Sequence, residues 1–209
     1  MTDFSKLTVQ EFLDAVASPA PTPGGGTASA LAGALGAALT EMVAALTLAK
    51  EKYAASHDAV RPITEAAAAA RAEFLSLARE DAEAYDGVVA ARRLSKDTPE
   101  EKDARSRALA EGNLRATEVP MRTAQAAVRL LECLPELVEK GNPNAASDAG
   151  AAALLLETAA EGALLNVGIN LSGVSDAAFV SRMQKETANL HTEAQRLRSH
   201  IFAAVRKTF

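Results

Sequence analysis

The spacing of apolar positions along the chain predicts long helices and gives no convincing strand. Apolar side chains recur at every third or fourth position, which is the repeat of one helical face. Start and stop signals divide this pattern into one short helix and five long ones. The predicted helices cover about 8–16, 27–57, 62–93, 98–140 (with a kink or break at Pro120), 145–171, and 175 to near the C-terminus.

Helix ends in the sequence support this division. Thr8 with Glu11 predicts a capping box, and Thr98 followed by Pro99 predicts a second well-marked start. Asn144 and Ser175 are the predicted N-caps of the last two helices. Because short connections join long helices, we expect an all-α up-and-down bundle that forms a single domain over residues 1–209.

Composition agrees with helices and excludes several classes of protein. The chain has 209 residues, of which 48 are alanine and none is tryptophan. A single cysteine excludes a disulfide scaffold, and 48% hydrophobic residues with a net charge of −5 argue against disorder. No block of Lys and Arg is present, so we expect no nucleic-acid partner.

The small-residue stripes over 27–57 and 145–171 bury little area in one subunit, which predicts a homodimer.

The sequence gives no expectation of export or of a membrane span. The start, MTDFSKL, lacks a basic segment followed by an apolar one. The least charged stretch, Ala15–Thr40, is interrupted by prolines and glycines. The lone Cys133 fits a reducing cytoplasm, so we expect a cytoplasmic protein.

The first candidate for chemistry is the glycine turn at Pro23, Gly24, Gly25 and Gly26. Glycines at a helix start expose backbone N–H groups at the positive end of the helix dipole, where a carboxylate, a phosphate or a polar heterocycle can bind. The alternative is a flexible entry loop capped by Thr27. No Lys-Ser/Thr follows the last glycine, so this is not a P-loop.

Asp81 is the second candidate, because it is an acid on an apolar stripe. The stripe consists of Phe74, Leu77, Ala78, Tyr85 and Val88. A carboxylate on a buried face is costly unless it is paired or used. The alternative is a structural hydrogen bond to another helix. We expect the neighbouring Glu80, Glu83 and Asp86 to be solvated.

A third group of polar residues begins at the turn before the fourth long helix. Asn142, Asn144 and Asp148 belong to this turn and to the first turn of the helix, while Asn166 lies on the same predicted stripe as Asp148. A position in the first helical turn, where an acid interacts favourably with the helix dipole, is sufficient to explain Asp148. The alternative is that this stripe lines a pocket, as amides on a small-residue face often do. The three histidines are not spaced as metal ligands, so we expect no metal site.

Three of these segments, taken together and in order, resemble one family. They are the Pro-Gly-Gly-Gly turn, the helix with Asp81-Ala82-Glu83-Ala84-Tyr85, and Gly141-Asn142-Pro143-Asn144 through Asp148 with Leu165–Leu171. The chain resembles the cyclodeaminase/cyclohydrolase domain of the formiminotransferase-cyclodeaminase family over essentially its whole length. Pro143 departs from the Gly-Asn-Leu-Asn form associated with that family.

The resemblance implies an enzyme of one-carbon folate metabolism that needs no cofactor. It implies hydrolytic interconversion of 5,10-methenyl- and 10-formyl-tetrahydrofolate, because the transferase half is absent here. Cyclodeamination of 5-formimino-tetrahydrofolate and non-catalytic folate binding are the alternatives. Asp81 matches the catalytic proton acceptor, and the glycine turn, Asn142, Asn144, Asp148 and Asn166 are the expected folate contacts.

Overall fold

The computed structural model describes residues 6–208, and within them the chain forms an all-α bundle. The first residues, on which the expectation about a secretory signal rested, lie largely outside this range. Five helices are long and two are short. They are α1 (Val9–Val16), α2 (Gly25–Leu48), α3 (His57–Arg93), α4 (Pro99–Leu131), α5 (Leu134–Lys140), α6 (Ala146–Leu171) and α7 (Ala177–Val205).

The antiparallel pair α2 and α6 is the centre of the bundle. α3 packs on α2, α4 packs on both α3 and α6, and α7 packs against α6. Gly36 lets the central pair approach closely, because a Cβ there would lie 2.9 Å from Cγ of Leu156. Near the end of α2, the Thr47 hydroxyl accepts a hydrogen bond from the Asn142 backbone N–H at 2.9 Å. Residues near the start of α2 therefore face the end of α6, and residues near the end of α2 face the start of α6.

Aliphatic and small side chains fill the interior between the long helices. The largest side chains with almost no exposure come from α3, α4, α5, α6 and α7; they are Phe74, Leu77, Leu131, Leu134, Leu137, Leu156 and Ile201. Around them α2 and α6 contribute mostly buried alanine, glycine and threonine. Short side chains allow the central helices to lie close together, and the larger residues fill the spaces further out.

The structure confirms the bundle and most predicted helix starts. Both capping boxes are formed, with Thr8 accepting from the Glu11 backbone N–H and Thr98 accepting from that of Glu101. The predicted ends at Arg93 and Leu171 are also correct.

Several predicted boundaries were wrong. The second long helix begins at His57, so Pro62 lies inside it rather than at its start. The first long helix ends at Leu48 rather than His57, and a short 3-10 segment, Glu51–Ser56, turns the chain back. Asn144 and Ser175 are not the caps: Asn142 caps a 3-10 turn before α6, and Asp176 caps α7 with two backbone N–H groups bound to its carboxylate.

Another error concerns Pro120 and Pro135, two of the three prolines of the predicted helix over 98–140. Pro120 does not break α4, because the Ala116 carbonyl that Pro120 leaves without a backbone donor accepts a hydrogen bond from Nδ2 of Asn170 at 2.6 Å. The break comes instead after Leu131. Pro135 lies in the first turn of α5, where a missing N–H costs nothing.

Two helices, α2 and the segment Pro143–Leu171, are long and apolar enough to cross a membrane by length and composition alone. In each of them, less than half of the apolar 18-residue stretch that meets this criterion is buried in the bundle. These are the two central helices, and the outer side of the pair carries exposed leucines.

Candidate active site

Asp81 lies where the start of α2 faces the middle of α3. The Thr27 hydroxyl, in the first turn of α2, donates a hydrogen bond to Oδ2 of Asp81 at 2.9 Å. Thr27 is fully buried, while Asp81 is half-buried and lines an open cleft. The apolar stripe of α3 is buried beneath Asp81, as predicted, except that Tyr85 is 40% exposed. The interhelical hydrogen bond foreseen as an alternative therefore exists.

The Asp81 carboxylate occupies the space that a side chain at residue 26 would need, so this position has to be glycine. A Cβ at Gly26 would lie 2.6 Å from Cγ of Asp81, too close for any larger residue unless the carboxylate moves. Gly24 and Gly25 form the adjacent wall of the cleft, whereas the predicted contact Pro23 is buried and does not line it. The glycine turn therefore brings the positive end of the α2 dipole next to an acid.

Burial controls the ionisation of Asp81. Desolvation raises the pKa of this carboxyl above its ordinary value, and hydrogen bonds from the Thr27 side chain and backbone oppose the rise without cancelling it. A raised pKa makes the carboxylate a better proton acceptor near neutral pH than a solvated aspartate.

The cleft has a volume of about 190 Å³ and draws its lining from α2, α3, α4 and α6. Asn166, one of the predicted folate contacts, lines the cleft. Its Nδ2 donates to the Gly162 carbonyl at 2.8 Å, which leaves its oxygen as an acceptor. Asn170 and Tyr85 also line the cleft. A second hollow of about 180 Å³ continues past these two residues towards Arg92 and Asn113.

Sequence reasoning missed the roles of Thr27 and Tyr85. Thr27 had been interpreted as a helix cap and Tyr85 as part of the apolar stripe. No local pattern links Thr27 to an acid 54 residues away. An aromatic residue with a polar hydroxyl, one turn after Asp81, was the available signal for Tyr85.

Asn142, Asn144 and Asp148 do not reach this cleft within one chain. They lie at the opposite end of the α2/α6 pair, beside Thr47. α2 has 24 residues, so the two ends are separated by about 35 Å. Asn142 has a structural role there, since its side-chain oxygen accepts from the Tyr53 hydroxyl at 3.0 Å and from the Asn144 backbone N–H at 3.2 Å.

The other acids of α3 serve the packing of α3 on α4. Glu80 accepts from Arg122 at 2.6 Å, and Glu83 lies 3.3 Å from Arg115. Both side chains are less than 30% exposed, so the expectation that they are solvated was wrong. Asp86 is exposed, as expected.

A larger groove, about 350 Å³, lies between α3 and α4, and Gly87, Ala91 and Leu94 contribute to its mostly apolar wall. It has two acids: Glu83 is paired with Arg115, and Glu111 is exposed to solvent. We place the chemistry in the smaller cleft, because its carboxylate is half-buried and has no cationic partner among residues 6–208. Among residues 6–208, no three His, Cys, Asp or Glu side chains cluster as metal ligands.

Comparison with known proteins adds three similarities over most of the chain. The family model described as formiminotransferase-cyclodeaminase matches residues 8–189. The methenyltetrahydrofolate cyclohydrolase of Methylorubrum extorquens is 39% identical over 95% of this chain and 96% of its own length. A crystal structure of formiminotetrahydrofolate cyclodeaminase from Thermotoga maritima superposes with a TM-score of 0.87, at 32% identity, over 97% of this chain and 98% of that one.

Longer relatives match as well. The formimidoyltransferase-cyclodeaminase of Sus scrofa is 37% identical over 90% of this chain. The chain spans about a third of that relative's length, with 35% of it covered.

Proposed function

The chain belongs to the formiminotransferase-cyclodeaminase family, and we propose that it is a methenyltetrahydrofolate cyclohydrolase. In this reaction, water and 5,10-methenyl-tetrahydrofolate are converted to 10-formyl-tetrahydrofolate. The similarity to the cyclohydrolase of Methylorubrum extorquens, over nearly the full length of both chains, supports this assignment. The observation that carries it is the half-buried carboxylate of Asp81 at an open cleft, hydrogen-bonded to Thr27 and without a cationic partner among residues 6–208.

Asp81 acts as the proton acceptor. Water attacks the carbon between N5 and N10, and Asp81 takes one proton from it, which gives a neutral tetrahedral intermediate. Protonated Asp81 then returns that proton to N5 as the bond between this carbon and N5 breaks. The hydroxyl of the intermediate loses its proton to solvent as the formyl group forms on N10. One proton is released overall, which balances the loss of the positive methenyl charge.

The neighbouring residues orient the folate and the acid. Thr27 holds Oδ2 of Asp81, and Gly26 leaves the space that the carboxylate occupies beside the cleft. Asn166 offers a carbonyl oxygen to an N–H donor of the pterin ring. Tyr85, with its ring partly exposed at the rim, provides a surface on which a flat heterocycle can stack.

The same residues suit cyclodeamination. There, N10 attacks the formimino carbon of 5-formimino-tetrahydrofolate, whose formimino nitrogen is protonated, and Asp81 takes the proton of N10. Asp81 then returns this proton to the amino group of the tetrahedral intermediate, which leaves as ammonia and gives the methenyl cation. The similarity to the Thermotoga maritima cyclodeaminase supports this second candidate. The two activities share the tetrahedral carbon and differ in the group that enters or leaves.

A spectrophotometric assay of the purified protein separates these functions. Loss of methenyl absorbance above the uncatalysed rate supports the cyclohydrolase, and its appearance from 5-formimino-tetrahydrofolate supports the cyclodeaminase. Tight folate binding without turnover of either compound would identify a folate-binding protein and refute both catalytic proposals.

Three further properties belong to this proposal. The enzyme works without a metal or other cofactor, since the proposed steps need only an acid–base group. It acts as a homodimer, which would cover the exposed leucines of α2 and α6. It acts in the cytoplasm, where its lone cysteine would stay reduced. Light scattering that gives a stable monomer at micromolar concentration would contradict the homodimer.

A further inference from the structure

We propose that Arg92 binds a carboxylate of the folate's glutamate, at the far end of the second hollow that continues from the Asp81 cleft. This inference rests on the proposed function for the identity of the ligand. It adds a subsite and a specificity-determining residue, which takes no part in the proton transfer.

The first argument is that the two hollows adjoin. Four residues line both of them; they are Tyr85, Ala116, Ile169 and Asn170. The cleft holds about 190 Å³ and the second hollow about 180 Å³. Each alone is smaller than the roughly 300–1,000 Å³ typical of small-molecule sites, whereas the two together fall inside that range. The pair therefore suits one elongated ligand.

The second argument is the order of side chains along one face of α3. Asp81, Tyr85, Val88 and Arg92 line the two hollows, and their spacing of three or four residues places them on one helical face. This face presents an acid, an aromatic ring, an aliphatic side chain and a cation, in that order. Folate presents a matching order: the reacting carbon, the aminobenzoyl ring, and the carboxylates of the glutamate.

The third argument is the agreement in length. Asp81 and Arg92 are about three turns apart on α3, so their Cα atoms are separated by about 16 Å. Side chains on a helix lean towards its N-terminus, so the long arginine side chain brings its guanidinium several ångström closer to Asp81. In an extended folate, the bonds from the reacting carbon through the aminobenzoyl ring to the glutamate α-carboxylate span about 10 Å. A folate whose reacting carbon lies at Asp81 therefore reaches Arg92.

The fourth argument is that Arg92 has no acidic partner. Five other arginines of α3 and α4 form ion pairs with glutamates; they are Arg71, Arg79, Arg115, Arg122 and Arg129. No Asp or Glu among residues 6–208 forms such a pair with Arg92. Its backbone is nevertheless fixed, because the Arg105 guanidinium donates to the Arg92 carbonyl at 3.3 and 3.4 Å. The Arg92 guanidinium is therefore available to an anion brought by the ligand.

A cation in the last turn of a helix also interacts favourably with the helix dipole, which would explain Arg92 without a ligand. Arg93 lies in the same turn and supplies the same charge, but it lines neither hollow. The two arginines therefore separate an effect of charge at the helix end from an effect of position in the hollow.

The other groups of the second hollow suit the neutral part of the tail. The Asn113 amide nitrogen donates to the Gly173 carbonyl at 2.7 Å, which leaves its oxygen to accept the N–H that joins the benzoyl group to the glutamate. Among the described residues that line this hollow there is no acid. The larger groove between α3 and α4 has Glu83 and Glu111 in its wall, and these would repel a carboxylate. The second hollow is therefore the better path for the tail.

Steady-state kinetics with a shortened substrate test the proposal. The substrates are methenyl-tetrahydrofolate and methenyl-tetrahydropteroate, which lacks the glutamate. With the complete substrate, Arg92→Gln should raise KM about tenfold at nearly unchanged kcat, because a charge-assisted hydrogen bond at an exposed position is lost equally from the ground state and the transition state. With the pteroate, wild type and Arg92→Gln should have the same KM. Arg92→Lys should recover part of the loss, and the matched control Arg93→Gln should equal wild type with both substrates.

Three kinetic results would overturn the proposal. The first is an unchanged KM of Arg92→Gln for methenyl-tetrahydrofolate. The second is the same rise in KM for both substrates, which would mean that Arg92 acts on the cleft and not on the glutamate. The third is a rise for Arg93→Gln as large as that for Arg92→Gln, which would indicate a general effect of positive charge.

Equilibrium binding separates this proposal from the proposed function. Folic acid and pteroic acid are unreactive probes that differ only in the glutamate, and titration calorimetry measures their affinities. We expect wild type to bind folic acid about tenfold more tightly than pteroic acid, and Arg92→Gln to bind the two equally. This pattern in a protein that turns over neither folate substrate would refute the proposed function and support the subsite. Equal affinity of wild type for the two acids, or binding of neither, would refute the subsite whatever the turnover.

Discussion

Replacing Asp81 by asparagine separates its catalytic role from a structural one. The substitution keeps the size of the side chain, and the Asn oxygen can still accept the Thr27 hydroxyl now bound at 2.9 Å. What it removes is the proton acceptor at the cleft. General acid–base groups contribute about 10²–10⁴-fold, so we expect turnover of methenyl-tetrahydrofolate to fall by that factor, equivalent to about 3–5 kcal/mol of transition-state stabilisation.

The stability of the same variant should move in the other direction. Burial raises the pKa of Asp81, so the folded protein holds this proton more tightly than the unfolded chain does. The ionised group therefore destabilises the fold above the raised pKa, and this penalty disappears as pH falls through the interval down to the unfolded value. Asparagine carries no charge, so we expect the Tm of Asp81→Asn at neutral pH to equal or exceed that of wild type.

The assay combines initial rates, folate binding and thermal melting in one buffer. Asp86→Asn is the matched control, because Asp86 lies on the same helix, is exposed and pairs with no described residue. We expect its rate and Tm to match wild type. Near wild-type turnover of Asp81→Asn, or a large drop in its Tm with unchanged turnover per folded molecule, would refute the catalytic assignment and leave Asp81 with a packing role only.

Four other outcomes follow from the site. Thr27→Val should raise the pKa of Asp81 further, because the substitution removes the side-chain hydrogen bond that lowers this pKa, so the acidic limb of the rate profile should shift to higher pH. Thr27→Ser should return the limb to its wild-type position, and an unshifted limb in Thr27→Val would contradict the contact. Gly26→Ala should abolish most turnover by displacing Asp81. Gly87→Ala should keep turnover, because no atom lies within 4 Å of the new Cβ, and thermal melts should show the protein stabilised by up to about 1 kcal/mol. Dialysis against a chelator should leave the rate unchanged, and restoration of a lost rate by zinc would reveal a metal site. Leu165→Glu should give monomers in light scattering, because Leu165 is 70% exposed on the face proposed to pair, and an intact dimer would contradict that face.

Local signals predicted the helices better than their interruptions. The capping boxes at Thr8 and Thr98 depend only on neighbouring residues, so the sequence shows them directly. The effect of Pro120 depends on Asn170, an amide on another helix that satisfies the Ala116 carbonyl. A one-dimensional pattern contains no information about that partner, and so the break was placed at the wrong proline.

The candidate site was predicted in part, for a similar reason. Helical spacing and composition selected Asp81 and the glycine turn, and the structure brings these together with Asn166. The same reasoning grouped Asp148 with Asn166 because they share an edge of α6, but an edge extends along the whole helix. Distance along α6 therefore separates the two residues, and Asp148 lies away from the cleft.

The pH dependence of methenyl-tetrahydrofolate hydrolysis tests the central claim most directly. The measurement is kcat/KM for wild type and Asp81→Asn across the acidic to neutral range, after subtraction of the uncatalysed rate. Because Asp81 must be ionised to accept a proton and burial raises its pKa, we expect wild-type kcat/KM to fall on acidification with a midpoint above the ordinary range of an aspartate. We expect the residual rate of Asp81→Asn to lack that limb. The same limb at the same midpoint in Asp81→Asn, or a wild-type protein with no rate above the uncatalysed reaction, would contradict the account.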